Sequence, residues 1–331
     1  MSGLEKIKVG VVGVGYMGEI LVGSCNAHPL CDVVAICDVN EDTLLKVQKK
    51  HGVPRVYTDQ AEMQDKEKLD AIVIATPDEH HRKPVELAAA AKLPIFLEKP
   101  LATTLQDGEA IMKAVKDAKI ICQLGFVLRF IPHYVEIHEQ VVTGTLGQVT
   151  NAFARRSCRL SEARRLYGRC SVNQYLFVHD MDFLLWCMGR DVENIYTVRG
   201  DFVLKPEIGV ADYYWNVVRW KNGATAVLLA NWNEPSAYSN YVEMQVFLHG
   251  TKASARALLA GQQYNCADEK EMVYREVSLY AAYPTEMAHF IDCVRLGKEP
   301  IVGVQAGMDT LRLLLAGEES ANKGAPVKVD L

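Results

Sequence analysis

With 331 residues, 49% of them hydrophobic and 23% charged, the chain has a globular profile and the length of two domains at about 100 to 200 residues each. A formal charge of -5 supplies no field that would gather nucleic acid or an anionic membrane, and no stretch approaches the roughly 18 apolar residues of a membrane helix. The opening MSGLEKIKVG runs into a strand-like pattern without an apolar leader, so a cytoplasmic location is expected; nine scattered cysteines without a C-x-x-C pair predict reduced, buried thiols and no metal site.

From residue 6 to about 125, apolar runs rich in Val and Ile alternate with stretches of helical period. The runs are KVGVVGVG, DVVAICD, AIVIATP, PIFLEKP and IICQLGF. Continuous runs, rather than in-out alternation, predict strands covered on both faces, hence a doubly wound parallel sheet. After residue 125 the texture changes. PHYVEIHEQVVTG has helical period, an Arg-rich stretch and a second helix follow, and then come longer alternating strands. Asn222-Gly223 between two such strands predicts a tight hairpin and a largely antiparallel sheet. Helices are predicted in PTEMAHFIDCVRLG and GMDTLRLLLAGEESANKG, and a short strand in VKVDL. The expected class is therefore α/β, with a Rossmann domain over residues 1–124 and a second α/β domain with a large, mostly antiparallel open sheet over 125–331.

VGVVGVGYMGEIL places G-x-G-x-x-G at Gly13, Gly15 and Gly18, after a strand and opening a helix. Glycine is needed there for the tight turn, for backbone approach to a pyrophosphate and for helix packing, while the helix N-terminus presents unpaired N–H groups. The next strand ends in Asp38, where a carboxylate accepts the ribose hydroxyls of NAD and repels a 2′-phosphate. Val39 and Asn40 follow, not arginine, so NAD is favoured over NADP. Tyr16 and Met17 in the turn, and Thr76, Pro77 and His80 after the strand AIVIA, are the further expected cofactor contacts, because open parallel sheets bind ligands at the carboxyl ends of their strands.

The run IFL ends in Glu98-Lys99-Pro100, again on the ligand side. A Glu-Lys pair capping a strand before a rigid proline is the bland reading. The alternative puts Glu98 and Lys99 beside the nicotinamide, where the ammonium stabilises the alkoxide that develops as hydride leaves.

VGVVGVGYMG, VIATPDEHH, FLEKPLA, LGFVLRFIPHY, VHDMDFLLW, GTKAS and EESANKGAPVKV, in that order, resemble the glucose-fructose oxidoreductase, inositol dehydrogenase and rhizopine catabolism group, Gfo/Idh/MocA. The resemblance spans essentially the whole chain. It implies NAD(P)-dependent redox chemistry on sugars and cyclitols, and a homodimer or homotetramer built through the sheet of the second domain. It also implies that Lys99 is the catalytic lysine and His179 the general base, with Asp182, three residues on, orienting the imidazole or binding a substrate hydroxyl. Such proteins usually carry Asp four residues before the histidine; here Tyr175 stands in that place, available to hydrogen-bond or stack on the substrate. Arg129 and Trp232 are further substrate candidates. The arginines at 155, 156, 159, 164, 165 and 169 read as a solvated face or subunit contact, or as a recognition site for an anionic sugar. The function this implies is oxidation of a secondary hydroxyl on a cyclic polyol or sugar. The alternatives are a redox-neutral, NAD-dependent glycosidase or lyase, and a dinucleotide sensor without catalysis.

Overall fold

The computed structural model describes residues 5–235, 237, 242–258, 263–267, 272–276 and 282–331. It divides into two compact units, Met1–Phe130 with Tyr280–Leu311, and Ile131–Leu279 with Arg312–Leu331. Among the described residues no helix is long and apolar enough to cross a membrane.

The first unit holds a six-stranded parallel sheet. Its strands are β1 (Ile7–Val12), β2 (Cys31–Cys37), β3 (Arg55–Tyr57), β4 (Ala71–Ile74), β5 (Ile95–Leu97) and β6 (Cys122–Leu124). The spatial order β3-β2-β1-β4-β5-β6 reverses direction between β1 and β4, which makes the carboxyl ends of those two strands the topological switch point of a Rossmann sheet. Every residue of β4 and β5 is buried, as expected for strands covered on both faces. Strand β3 escapes the pattern because it is three residues long, lies at the sheet edge and carries no apolar run.

The division expected at residue 124 is corrected by the helix Ala282–Leu296. Its Met287, Phe290 and Ile291 are buried in one core with Val9, Val11, Val73 and Phe96, and the Phe290 ring meets Phe96 edge-on with centroids 5.8 Å apart. The chain therefore returns to the first unit after the second has begun. The apolar face of that helix reads the same in sequence whichever unit it covers.

The second unit is built on a sheet of nine strands among the described residues: β7 (Val149–Arg159), β8 (Val192–Gly200), β9 (Tyr213–Trp220), β10 (Thr225–Glu234), β11 (Val242–Gly250), β12 (Ser254–Leu258), β13 (Gln263–Ala267), β14 (Met272–Glu276) and β15 (Val327–Lys328). The order is β14-β13-β12-β11-β7-β10-β9-β8-β15, antiparallel throughout except where β10 runs parallel to β7. The hairpin at Asn222-Gly223 joins β9 to β10. Only Gly223 takes a positive φ, 90°, while the Asn222 side chain accepts the Ala224 N–H at 3.0 Å, so an Asx-type turn replaces a two-residue turn with both φ positive. One face of the sheet is apolar and covered, through Val218, Trp220, Leu228, Val246 and Leu248.

Candidate functional site

In the first unit the glycine turn is shaped by contacts that no side chain could share. Gly13 has φ 80°, and a Cβ there would lie 2.7 Å from the Ala75 carbonyl and the Thr76 nitrogen, so β1 abuts the end of β4 through bare backbone. At Gly18 a Cβ would stand 1.9 Å from the Gly13 oxygen, which seats the helix Tyr16–Asn26 on the turn. Gly15 differs. It is exposed, precedes the helix without a side-chain cap, and a Cβ there would meet nothing within 4 Å. Open space in front of uncapped N–H groups suits a pyrophosphate. Tyr16 is 60% exposed and Met17 half-buried beside it.

Asp38 lies at the end of β2, where Oδ2 accepts the Val14 N–H at 2.8 Å and Oδ1 accepts the Asn40 N–H at 2.9 Å. A carboxylate offers about four lone pairs, so both oxygens keep one for a ribose hydroxyl while the glycine turn itself orients the acid. After β4, the Thr76 hydroxyl oxygen is buried with no hydrogen-bond partner among the described residues, and Pro77 and His80 are exposed. These residues fit a bound dinucleotide.

Lys99 is half-buried at the carboxyl end of β5, and its peptide bond to Pro100 is cis. Glu98, expected against the cofactor, is buried next to Lys99. Its Oε2 accepts the Lys99 backbone N–H at 3.2 Å, and Gly125 packs so closely that a Cβ would lie 3.2 Å from the carboxyl. Burial pushes the Glu98 carboxyl up to about 7, against the opposing pull of the Lys99 charge. Arg129, expected at the substrate, is buried and donates from Nη1 to the Ile301 carbonyl at 3.1 Å, tying its turn to the returning segment.

In the second unit the helix Val178–Met188 carries His179, half-buried, and Asp182, only 1% exposed. The stretch before it, Asn173–Phe177, is π-helical, a form often found as single turns at functional sites. Asn173 and Asn216 exchange amide hydrogen bonds at 3.3 and 3.2 Å, and Asn216 also accepts the Thr197 hydroxyl at 2.9 Å. Two residues below, the Ser171 hydroxyl donates to Glu318 at 2.6 Å. The turn bearing Tyr175 is thus fastened to β9 and to the helix Val304–Lys323 by side chains remote in sequence. The half-buried Tyr175 phenol oxygen accepts from Arg165 Nη2 at 3.3 Å, and its ring lies 6.1 Å from that of Trp232. Trp232 itself is fully buried, with Nε1 unpartnered among the described residues, so it is a packing residue of β10 rather than a sugar platform.

The arginine stretch is largely spent within the chain. Arg155 pairs with Glu234 and Glu243 at 3.2 and 2.9 Å, Arg164 forks onto Glu207 at 2.9 and 3.0 Å, and Arg165 holds Glu162 at 2.9 Å. Arg156 forms a buried two-bond fork with Asp180 at 2.8 and 2.9 Å. Asp180 has no separate sequence signal, yet it anchors the first turn of the His179 helix; removing one partner of such a pair typically costs about 3 to 5 kcal/mol.

Residues 7–126 match the family model described as an oxidoreductase family with an NAD-binding Rossmann fold, and residues 174–329 match its C-terminal alpha/beta domain. A myo-inositol 2-dehydrogenase of Thermotoga maritima is 27% identical over 98% of this chain and 99% of its own length. The scyllo-inositol dehydrogenase of Lactobacillus casei, solved with NAD(H) and scyllo-inositol, superimposes with a TM-score of 0.86 at 20% identity, over 98% of this chain and 99% of that one. A 2,7-anhydro-N-acetylneuraminate hydratase of Escherichia coli is 25% identical over 76% of this chain and 67% of its own length. With a glycine turn and acid suited to a dinucleotide, a lysine at the end of β5 and both domain models matched, the chain belongs to the Gfo/Idh/MocA family of oxidoreductases.

Proposed function

We propose that this protein is an NAD-dependent dehydrogenase that oxidises a secondary hydroxyl of a cyclic polyol or sugar, with inositols the first substrates to try. The observation that carries the reading is the end-to-end similarity to a myo-inositol 2-dehydrogenase in a chain that has Lys99 within FLEKPLA and His179 within VHDMDFLLW. Gly13, Gly15, Gly18, Asp38 and Thr76 would hold the dinucleotide, whose nicotinamide, when bound, supplies the two-electron acceptor. Lys99 hydrogen-bonds the substrate hydroxyl and stabilises negative charge on its oxygen. His179 receives the hydroxyl proton. Asp182, on the same helix face, orients the imidazole, and Tyr175 contributes a phenol where relatives of this type usually carry an acid. The test is a screen of inositols, aldoses, uronates and glycosides with NAD, following absorbance of the reduced cofactor together with product analysis. No reduced cofactor and no altered product from any of them would sink the reading.

A second reading is favoured by the similarity to the hydratase: transient oxidation that permits addition or elimination and regenerates NAD. Its signature in the same screen is product formation without net reduced cofactor.

Cofactor choice follows from Asp38. Loss of ribose bonding and repulsion of a 2′-phosphate are each worth on the order of 1 to 3 kcal/mol, so NAD should bind about 10-fold or more tighter than NADP. Equal affinities in a titration would remove Asp38 from this role.

The open face of the second sheet is also the expected oligomer contact. Tyr196, Val217, Val227, Phe153 and Phe247 lie directly opposite one another across five adjacent strands, and Val198, Trp215 and Leu229 form the next row. Tyr196, Val198 and Trp215 are 36%, 45% and 39% exposed in the isolated chain. A two-sided apolar sheet face of this extent is the kind a second copy covers. Sedimentation should give a dimer or tetramer that Trp215→Asp dissociates; a monomeric wild type would refute it.

A further inference from the structure

We propose that His81 is a positioning residue for Lys99, its imidazole linking the carbonyl of Thr76 after β4 to the carbonyl of Pro100 in the turn that carries Lys99. The ring is 1% exposed, with Nδ1 2.9 Å from the Pro100 oxygen and Nε2 3.1 Å from the Thr76 oxygen. His81 occupies the N-cap position of the helix Arg82–Ala90 but makes no capping hydrogen bond. Ser, Thr, Asp or Asn usually fills that position and caps the helix with its side chain; here the side chain is turned inward instead. β4 and β5 are neighbours in the parallel sheet, so the ring ties together the two segments that leave their carboxyl ends.

Both acceptors are backbone carbonyls. A neutral imidazole therefore satisfies one of them, and an imidazolium satisfies both. Burial lowers the His81 pKa, outweighing the opposing pull of the Asp78 charge and of the carbonyls of Thr76, Leu101 and Pro100. Asp78 acts in the same direction on Glu98. A neutral ring donates to one of the two loops and packs against the other, and an imidazolium donates to both, so each protonation state keeps the ring between the segments that follow β4 and β5. His80, the neighbour that sequence favours as a cofactor contact, is exposed in a single 3-10 turn.

This inference rests on the reading of Lys99 as a group that acts on the substrate, and the test keeps the two apart. Lysines of the full chain are reductively dimethylated with carbon-13, and the Lys99 resonance is assigned through Lys99→Arg. His81→Phe, which keeps a ring of similar size without donors, should move the Lys99 resonance by more than its linewidth and leave most other lysines in place. With the substrate identified in the screen, kcat should fall about 10-fold, as small misplacements of a reacting group do. The Kd for NAD should rise by less than kcat falls, because Gly13, Gly15 and Asp38 are untouched and only the Thr76 segment loses a partner. His81→Asn, whose amide is too short to span both carbonyls, serves if the Phe variant fails to fold and should displace the resonance likewise. An unmoved Lys99 resonance in a folded variant would show that the ring only fills space. Should Lys99→Ala keep normal turnover, the role of Lys99 fails while the resonance still reports on His81.

Discussion

Replacing Lys99 by alanine is expected to lower kcat by about 100-fold or more while leaving NAD affinity nearly intact. Removing a donor that acts on charge developing in the transition state typically has a cost of that size, whereas removing a dinucleotide contact would raise the Kd. Here the dinucleotide is expected to be held by backbone around Gly13 and Gly15 and by Asp38, none of which Lys99 supports. Single-turnover rates and a binding titration on the same variant separate the two effects. Near-normal turnover would return Lys99 to the role of capping β5 ahead of a proline.

The second large effect concerns His179. His179→Ala should lower kcat/KM by about 100-fold or more and abolish its pH dependence near neutrality, because an imidazole titrates in that range and a phenol does not. Tyr175→Phe keeps the ring beside Trp232 and loses only the hydroxyl that accepts from Arg165. It should weaken substrate binding by roughly one hydrogen bond, about 1 kcal/mol, and leave the shape of the profile alone. The reverse pattern, in which Tyr175→Phe removes the titration and His179→Ala preserves it, would place the proton acceptor one turn earlier, in the π-helical segment.

What the sequence by itself determined lies mostly where physics is local. The G-x-G-x-x-G spacing after an apolar strand marks Gly13 as the residue of a tight turn, and its φ of 80° is the conformation that glycine adopts there. The same holds for the apolar runs that end β1 and fill β4, for Asp38 at a strand end, and for the Asn222-Gly223 turn. The tertiary structure decided the features whose partners are far apart in the chain. Whether the helix Ala282–Leu296 covers the first or the second unit depends on Phe96 and Val73 more than 180 residues earlier, and an apolar stripe carries no address. Between adjacent His80 and His81, a quarter-turn of backbone exposes one ring and buries the other against two carbonyls, one of them 19 residues away. Arg156 looks like its charged neighbours until Asp180 is found across from it, 24 residues on. Trp232 falls on the covered side of β10 because register, set by pairing with β7 and β9, chooses which of two faces each side chain takes. Spacing along the chain sets local geometry; burial and long-range pairing set which of the candidate side chains is held, aimed or hidden.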